Sequence, residues 1–423
     1  MSSSKNYVVS ISIIGILFFI FGFITWTNGT LIPFLKLACN LQSDGQALLV
    51  TSAFYMAYFF LAIPSSFILN KTGYKKGMAL GLSVIAVGAL IFLPAASGRN
   101  FSLFLTGLFV QGMGLSLLQT ASNPYISVIG PIESAAQRLS IMGVCNKVAG
   151  ALAPVILSSV ILKDANAIES KVKAATDELT RNELLQELSN RVVAPYVVMA
   201  IVLVLLAFMI WFSSLPEIET DGGKVSDNSS SKNKTSIFQF PHLLLGALCI
   251  FMYVGVEVMT GDVIGTYGRS MGMSLDETKI FTSYTLWAMV VGYVVGIFTI
   301  PKFIKQETAL KICAIIGVVF MTASFLTHGY TSIFFVAIAG LANSLMWPAI
   351  FGLALDGLGR FTKIGSALLV MGISGGAVVP KIYGELVAAI PSQTAFFVCT
   401  APCYLYILYY AIKGHNAGKK SIA

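Results

Sequence analysis

Twelve stretches of about 20 mostly apolar residues constrain this chain more than any other feature of its sequence. Each is long enough to cross about 30 Å of hydrocarbon. A lipid-exposed strand edge would leave backbone groups without hydrogen-bond partners, so each stretch is expected to be helical. The first stretch, which starts near Tyr7, is too long for the core of a secretory signal and is interpreted as a retained span. The stretches lie near 8–35, 46–70, 76–96, 101–127, 139–162, 192–214, 237–264, 279–300, 309–327, 331–357, 364–390 and 393–413.

The composition supports a membrane protein. Hydrophobic residues make up 56% of the chain and charged residues 11%, whereas about a quarter of the residues of a soluble domain are charged. The formal net charge of +8 is explained by loops that face the cytoplasm, so it predicts no nucleic-acid partner. The expected environment is membrane lipid.

Lysine and arginine are distributed unevenly between alternate loops, and this predicts the orientation. With the N-terminus inside, the inner loops are rich in basic residues and the short outer loops are poorer. Because the number of spans is even, both termini are then expected in the cytoplasm. The protein is expected to be integral to the cytoplasmic (inner) membrane. The basic residues assigned to the inside are Lys71, Lys75, Lys76, Arg138, Lys302, Lys305, Lys311, Arg360, Lys363, Lys413, Lys419 and Lys420. Those assigned to the short outer loops are Lys36, Arg99, Arg269 and Lys279.

Two polar segments divide the chain. Residues 217–236 are rich in Gly and Ser without periodicity, which predicts a flexible cytoplasmic linker between residues 1–216 and 237–423. Residues 163–191 alternate Leu and charge in a way that suggests an amphipathic outer helix, with a solvated loop helix as the preferred interpretation. Sliding the first half onto the second by about 232 positions gives weak matches. The predicted fold class is an all-α membrane protein with two six-helix bundles in parallel, and in such folds the substrate site lies between the halves.

Polar residues inside predicted spans are expected to point away from lipid. The fourth span carries Gln111, Gln119 and Asn123 on one broad helix face. Amides both donate and accept hydrogen bonds, which suits a neutral polyol, and no span centre carries the Arg that an anion would favour. Four aromatic residues are candidates for packing on sugar rings, although each also fits the core or the membrane interface. They are Trp26, Tyr55, Trp287 and Trp347.

Acidic residues lie within or near two spans of the second half. Glu257 and Asp262 are five residues apart, about 140° around a helix, so they are not expected to face one point. Glu257 is deeper and is interpreted either as a cavity residue or as half of an ion pair between helices. Lys381 and Glu385 are four residues apart. Lys381 pairs either with Glu385 along their own helix or with an acid of another span.

Lys147 lies within an apolar stretch, residues 141–162, where a lysine is costly. At about 1.5 Å per residue it is about 12 Å from the inner end of its helix. It either extends toward the cytoplasmic headgroups or faces a cavity. Asn146 points about 100° away, so the two side chains cover two directions.

Nothing in the sequence predicts an enzyme or a resident cofactor. The three histidines, His242, His328 and His415, are isolated near span ends, and no nucleophile triad or phosphate-binding Gly loop occurs. The six cysteines lack metal-ligand spacing and are interpreted as small core residues. No bound metal is expected beyond a possible Na⁺.

Six motifs are distributed along the chain: TNGTLIPFLK (27–36), TSAFYMAYFFLAIPSSFILNKTGYKKG (51–77), LLQTASNPYISVIGP (117–131), RLSIMGVCNKVAGALAP (138–154), YVGVEVMTGDVIGTYG (253–268) and LGRFTKIGSALLVMGISGGAVVP (358–380). Together they resemble the fucose, galactose/glucose and hexosamine symporter family of the major facilitator superfamily. The resemblance covers nearly the whole chain and implies sugar import driven by a cation gradient. It also implies that Asn28, Gln119, Asn146, Glu257 and Asn343 approach the sugar, with Trp347 stacking on its ring.

The sequence departs from the fucose branch at two positions. That branch has an Asn-Asp pair in the first span and Leu-Glu-Thr in the fourth, whereas this chain has Asn28-Gly29 and Leu118-Gln119-Thr120. Gly and Gln do not titrate, so a proton relay through these two sites is excluded. The pair Asn146-Lys147 resembles the glucose/galactose branch, which is associated with sodium in some relatives, and the resemblance makes Lys147 a cavity lysine.

The expected function is secondary active import of a neutral hexose, glucose or galactose, by alternating access, with Na⁺ as the favoured coupling cation. We expect a monomer with a small neutral sugar as its substrate. A proton-coupled fucose or N-acetylglucosamine symporter using Glu257 remains an alternative, as does a drug exporter of the same fold. The predicted sugar-binding residues are Asn28, Gln119, Asn146, Lys147, Glu257, Asn343 and Trp347, and the predicted cation-coupling residues are Asn28, Thr30, Asn146, Glu257 and Asp262.

Overall fold

The computed structural model describes residues 2–129, 135–213, 215, 235–300 and 303–419. Across these residues the chain is helical and contains no strand. Twelve segments are long and apolar enough to span a membrane, as the sequence predicts. In chain order, spans 1 to 12 are Tyr7–Ala38, Asp44–Thr72, Tyr74–Ser97, Phe101–Ile126, Gln137–Ile161, Glu178–Phe212, Pro241–Gly261, Leu275–Thr299, Gln306–Leu326, Gly329–Leu355, Thr362–Leu386 and Ser392–Ile412.

The part of the chain that the structure describes contains twenty α-helices, most of which form the spans. The helices are α1 (Ser2–Trp26), α2 (Asn28–Ala38), α3 (Asp44–Ala47), α4 (Leu49–Thr72), α5 (Tyr74–Ser97), α6 (Phe101–Val128), α7 (Ala135–Ile161), α8 (Ala165–Ala174), α9 (Glu178–Asn190), α10 (Val193–Phe212), α11 (Pro241–Gly261), α12 (Ile264–Ser270), α13 (Leu275–Thr278), α14 (Phe281–Thr299), α15 (Gln306–Leu326), α16 (Gly329–Ser344), α17 (Met346–Leu355), α18 (Thr362–Met371), α19 (Gly375–Leu386) and α20 (Ser392–Ile412). Within the described ranges, four 3₁₀ turns cover Ile237–Gln239, Gly359–Phe361, Gly372–Ser374 and Gly414–Asn416.

The spans pack as two groups of six. In the N-terminal half, span 4 packs between spans 2 and 3, span 6 packs on span 3, and span 1 packs on span 5. In the C-terminal half, span 7 packs on spans 11 and 12, and spans 9 and 10 pack on each other. The two halves meet along two seams, where span 5 contacts span 8 and span 2 contacts span 11. This is the arrangement of two six-helix bundles that the sequence predicts. The predicted linker, 217–236, lies outside the described residues except for its last two positions.

The two ends of the bundle differ in what they carry. Because twelve spans alternate in direction, the described ends of the chain lie on one side, which we call the terminal face. Helices α8 and α9 lie on the other side, which we call the insert face. The polar segment 163–191 forms these two helices rather than one, since the chain is extended at Ala175 and Asp177 caps α9 by accepting a hydrogen bond from the Thr180 amide (3.0 Å).

Helix α8 links the two halves at the insert face. The Glu169 carboxylate receives two hydrogen bonds from Arg269 of the C-terminal half, at 2.8 and 3.1 Å. The Asn166 side-chain oxygen accepts hydrogen bonds from the backbone amides of Leu275 and Asp276. The α8 segment is therefore more than a solvated loop helix, and we call this group of contacts the clasp.

Close helix packing depends on glycine at particular positions. A Cβ on Gly375 of span 11 would overlap the Phe251 carbonyl of span 7, and one on Gly22 of span 1 would overlap the Asn146 carbonyl of span 5. Lipid provides no hydrophobic driving force between helices, so small residues that let backbones approach closely contribute much of the association. These two contacts set spans 7 and 11, and spans 1 and 5, at short range beside the centre of the bundle.

Spans 1, 10 and 11 are interrupted away from their ends. Span 1 breaks at Thr27, span 10 at Leu345 and span 11 at the turn Gly372–Ser374. The helix of span 7, α11, ends at Gly261 before α12 starts. Irregular backbone at membrane depth is tolerated where it is buried in protein or lines a cavity. The interruptions surround the region between the halves.

Candidate functional site

A cavity with a free internal volume of about 100 Å³ lies between the two halves. Its lining comes from eight spans, mostly between their middles and their ends at the terminal face. The N-terminal half supplies Phe18, Phe21, Thr25, Trp26, Tyr55, Tyr58, Gln119, Asn123, Leu139, Gly143, Asn146 and Lys147. The C-terminal half supplies Tyr253, Val254, Glu257, Tyr293, Trp347 and Ile373.

Lys147 and Glu257 form an ion pair in the wall of this cavity. Lys147 Nζ donates to Glu257 Oε1 at 2.8 Å, and the hydroxyl of Tyr253 donates to the same oxygen at 2.7 Å. Lys147 Nζ also lies 4.3 Å from the centre of the Trp26 ring, a cation–π distance. Both charged side chains are at most 10% exposed, so each compensates the charge of the other in a poorly solvated place. Lys147 therefore faces the cavity and does not extend toward the headgroups.

Three predicted amides line the cavity. The Gln119 side-chain nitrogen donates to the hydroxyl of Tyr58 at 3.1 Å. Asn146 makes a long hydrogen bond, 3.4 Å, to the Phe18 carbonyl, and Asn123 is the third amide of the lining. Gln111 is different: it is buried against Gly88, between spans 3 and 4. The three amides predicted on one face of span 4 therefore separate: Gln119 and Asn123 line the cavity, whereas Gln111 packs within the N-terminal half.

Three of the four predicted aromatic residues line the cavity. Trp347 lies 6.4 Å from the ring of Tyr253 and stacks on Phe351 at 5.7 Å. Trp26 and Tyr55 are buried in the wall, with exposures of 1% and 3%. The prediction for Trp287 is wrong: its side chain is 46% exposed on the outer surface of span 8, where an aromatic ring suits lipid.

Asn343 does not line the cavity. Its side-chain nitrogen donates to Thr260 at 2.9 Å, and its oxygen accepts a hydrogen bond from Tyr404 at 2.7 Å. The amide thus joins spans 7, 10 and 12 inside the C-terminal half. Its neighbour Trp347 is in the wall because span 10 breaks between them, at Leu345.

Asn28, Thr30 and Asp262 lie beyond the cavity, toward the insert face. All three are at most 1% exposed. Asp262 follows the last residue of α11, and its Oδ2 lies 3.4 Å from the hydroxyl of Tyr55, a lining residue. Glu257 and Asp262 therefore face different surroundings, as their spacing predicts: the first faces the cavity and the second faces the sealed region behind it.

The cavity is closed toward the insert face by contacts between the halves. The Trp26 ring packs against Gly261 of span 7 so closely that a Cβ there would overlap it. The Ser52 hydroxyl donates to the Ala377 carbonyl at 3.0 Å, and the clasp lies farther out. On the other side of the cavity, Tyr293 of span 8 packs on Gly143 of span 5.

Sequence reasoning missed several lining residues, among them Tyr58, Tyr253, Tyr293 and Gly143. Only Tyr253 carried a local signal, since it precedes Glu257 by four residues on the same helix. Lys381 could pair with Glu385 or with another acid. In the structure it pairs with Glu385 along its own helix. Within the described residues, no three His, Cys, Asp or Glu side chains are grouped to hold a metal ion, and all six cysteines are free.

Comparisons with known proteins identify relatives of the whole chain. A sequence model of the Major Facilitator Superfamily matches residues 14–380. A protein of Brucella abortus named glucose/galactose transporter is 35% identical over 419 residues, covering 98% of this chain and 96% of that protein. The L-fucose-proton symporter of Escherichia coli is 28% identical over 413 residues, covering 96% and 93%. A crystal structure of the transporter FucP in the outward conformation superposes with a TM-score of 0.75 at 28% identity, covering 96% of this chain and 98% of FucP.

Proposed function

This chain belongs to the major facilitator superfamily, a family of transporters and not enzymes, and we propose that it imports a neutral hexose, glucose or galactose, together with a cation. The chain is an integral membrane protein. Transport proceeds by alternating access, in which the two six-helix halves rock about the cavity between them. The terminal face is the cytoplasmic side, because its loops carry most of the lysine and arginine residues.

The chemistry of the cavity wall carries this proposal. Lys147 and Glu257 bring opposite charges to one place, at 2.8 Å, so the wall has no net charge for an ionic substrate to balance. A sugar hydroxyl both donates and accepts hydrogen bonds, and can donate to Glu257 while accepting from Lys147. Gln119 and Asn146 add amides with the same two capacities.

Aromatic side chains support a ring-shaped substrate. Trp26 and Trp347 belong to opposite halves and both line the cavity, so an apolar face of the sugar can pack against an indole while its edge meets the polar groups. The sugar-binding residues are therefore Gln119, Asn146, Lys147, Glu257 and Trp347. Asn343 acts behind this wall through Thr260 and Tyr404, and Asn28 is buried behind it.

The driving force is a cation gradient, and Na⁺ is the cation we favour. Each elementary charge that crosses 100 mV contributes about 2.3 kcal/mol. Na⁺ is bound by oxygen atoms, and Asn28, Thr30, Asn146, Glu257 and Asp262 supply side-chain oxygens in or behind the cavity. The name of the Brucella abortus relative supports glucose or galactose as the sugar.

Uptake into proteoliposomes tests the function. Labelled glucose is supplied under an inward Na⁺ gradient, an inward proton gradient, or neither, with unlabelled galactose, fucose and N-acetylglucosamine as competitors. We expect accumulation above equilibrium with Na⁺ and competition by galactose. Failure to accumulate any of these sugars under either gradient, in vesicles that contain folded protein, contradicts the proposal.

A proton-coupled fucose symporter is the second candidate, supported by the Escherichia coli relative named L-fucose-proton symporter. In the same assay it gives labelled fucose accumulation that a protonophore abolishes and that Na⁺ does not affect. Non-titrating Gly29 and Gln119 disfavour it. A drug exporter would move its substrate out of the compartment that the terminal face contacts.

A further inference from the structure

Asp262 is a buried acid without a compensating charge. Its side chain belongs to a residue that is 1% exposed. Within the described part of the chain, Oδ1 has no hydrogen bond of normal geometry, Oδ2 has a long 3.4 Å contact with the Tyr55 hydroxyl, and the backbone amide of Gly29 also faces the carboxylate. Lys147, the cation that acts on Asp262 electrostatically, is bonded to Glu257 instead.

The acid lies where the two halves meet. It follows Gly261 of span 7, and the first residues of α2 in span 1 pack against it: a Cβ on Gly29 would lie 3.3 Å from Asp262 Oδ1 and would overlap Thr282 Oγ1. Glycine at 29 therefore leaves room for the carboxylate. Tyr55 lies between this acid and the cavity, since its ring lines the cavity while its hydroxyl faces Asp262.

Other polar atoms near this contact also lack partners. Both side-chain atoms of Asn28, the hydroxyl of Thr30 and the hydroxyl of Ser283 are buried without a hydrogen bond among the described residues. Asn28 and Thr30 flank Gly29, and Ser283 follows Thr282. Buried polar groups are normally paired. Unpaired polar side chains in the two segments that pack at Asp262, together with its own unpaired oxygen, are therefore what an ion site would use.

We propose that Asp262 binds the coupling cation, as a carboxylate neutralised by a monovalent cation, in a site separate from the sugar cavity and completed by oxygens from the start of α2 and from span 8. This inference rests on the proposed function and identifies the place where its cation binds. An isolated ionised carboxylate is costly to bury. The insert face can therefore close over Asp262 only when a cation is bound, and separation of the halves at this face exposes the carboxylate so that a cation can enter from that side.

The groups that face Asp262 favour a cation over a second anion. Tyr55 packs from span 2, and Glu257 and Lys147 act on Asp262 electrostatically from spans 7 and 5. Glu257 and Lys147 compensate each other, which leaves the negative charge of Asp262 as the net charge of the group. Na⁺ and H⁺ both neutralise a carboxylate, and their effects on the protein can be separated.

Thermal unfolding of the purified full chain tests binding without transport. In choline buffer at high pH, we expect Asp262→Asn to raise Tm by several degrees, because it replaces the uncompensated charge by a neutral isostere. Adding Na⁺ should raise the Tm of the wild type if the site takes Na⁺, and lowering the pH should do so if it takes H⁺. The Asp262→Asn variant should respond to neither. A wild type whose Tm responds to neither cation, or a variant that retains the response, overturns the proposal.

Transport then separates this inference from the proposed function. Asp262→Asn should still exchange labelled sugar across the vesicle membrane when the sugar concentration is equal on both sides. Under any cation gradient, however, the ratio of internal to external sugar should not rise above one. Glu385→Gln is the matched control, since Glu385 is exposed and pairs with Lys381 on its own helix, and it should accumulate sugar as the wild type does. If the wild type accumulates no sugar, the proposed function fails; if the wild type and Asp262→Asn accumulate it equally, only the present inference fails.

Discussion

Lys147 of span 5 donates a 2.8 Å hydrogen bond to Glu257 of span 7, and this ion pair joins the two halves of the molecule at the wall of its central cavity. The same glutamate oxygen accepts the hydroxyl of Tyr253, and Trp26 covers the lysine. A pair that connects the halves must change its surroundings whenever the halves move. Substitutions in this pair should therefore change both the free energy of unfolding and the rate of sugar uptake.

Removing one partner of this pair should destabilise the protein more than removing both. Lys147→Met leaves Glu257 charged and buried, as Glu257→Gln leaves Lys147, and breaking a buried pair in this way costs about 3–5 kcal/mol. The double variant Lys147→Met/Glu257→Gln leaves no buried charge and should recover most of that loss. Thermal or denaturant unfolding of the four proteins forms the double-mutant cycle.

The same four proteins test the role in sugar binding. All three variants should lose most sugar uptake, including the stable double variant, because the hydroxyl partners are gone. A double variant that is stable and transports normally would show that the pair serves structure alone.

Trp347 should contribute to sugar affinity through ring packing. Trp347→Ala removes an indole that lines the cavity, and we expect KM for the sugar to rise by about tenfold, which corresponds to about 1.4 kcal/mol of lost packing. Trp287→Ala is the control, because that side chain is 46% exposed to the outside of the bundle. Equal KM values for the two variants would contradict a role for Trp347 in binding.

A methyl group at Gly261 should prevent closure of the insert face. A Cβ there would overlap the ring of Trp26 in the other half, and that ring is held beneath Lys147. We expect Gly261→Ala to lower the initial rate of sugar uptake by at least about tenfold at equal protein content, since overpacking typically costs about 1–3 kcal/mol. Gly98→Ala places its Cβ at ordinary contact distances, no closer than 3.6 Å, and should transport normally.

The clasp should stabilise the state that is closed at the insert face. Reversing one charge, in Glu169→Arg, places two cations together at the site of the Glu169–Arg269 pair. Amide hydrogen exchange across α8 (Ala165–Ala174) should then be faster than in the wild type. The swap Glu169→Arg/Arg269→Glu should restore protection. Equal exchange in all three proteins would mean that the clasp contributes nothing.

The clasp should be insensitive to pH near neutrality and weaken only in acid. Burial raises the pKa of Glu169, but Lys173 and Arg269 outweigh it and hold that pKa below its ordinary value of 4.5. A carboxyl whose folded pKa is lowered stabilises fully above its ordinary pKa and loses that contribution as pH falls through the lowered pKa. Protection of α8, corrected for intrinsic exchange, should therefore be constant from about pH 6 to 8. A decrease within that range would assign the loss to another group.

Much of the fold could be predicted from the sequence. Hydropathy and length predicted twelve helices, and all twelve occur as described segments. Two errors have local causes. The helix expected over 163–191 divides because Asp177 caps the start of a new helix, α9. Trp287 lies on the outside because an amphipathic residue in a span suits lipid as well as a cavity.

The site was readable only in part. A lysine and a glutamate in apolar stretches are too costly to face lipid, so Lys147 and Glu257 could be recognised singly as functional candidates. Their pairing across 110 positions could not, because it depends on how span 5 sits against span 7. Asn343 shows the converse, since its chemistry suits a sugar but Thr260 and Tyr404 engage its amide.

The sequence by itself determined that this protein spans a membrane as twelve helices in two groups of six, because the bilayer permits no other use of such apolar stretches. It also determined which residue types had to find polar surroundings. Only the tertiary structure decided which of them share a cavity, which pair, and which acid remains uncompensated. Those outcomes depend on distances of a few ångströms between helices that are remote in sequence, and close packing at residues such as Gly22 and Gly375 sets those distances.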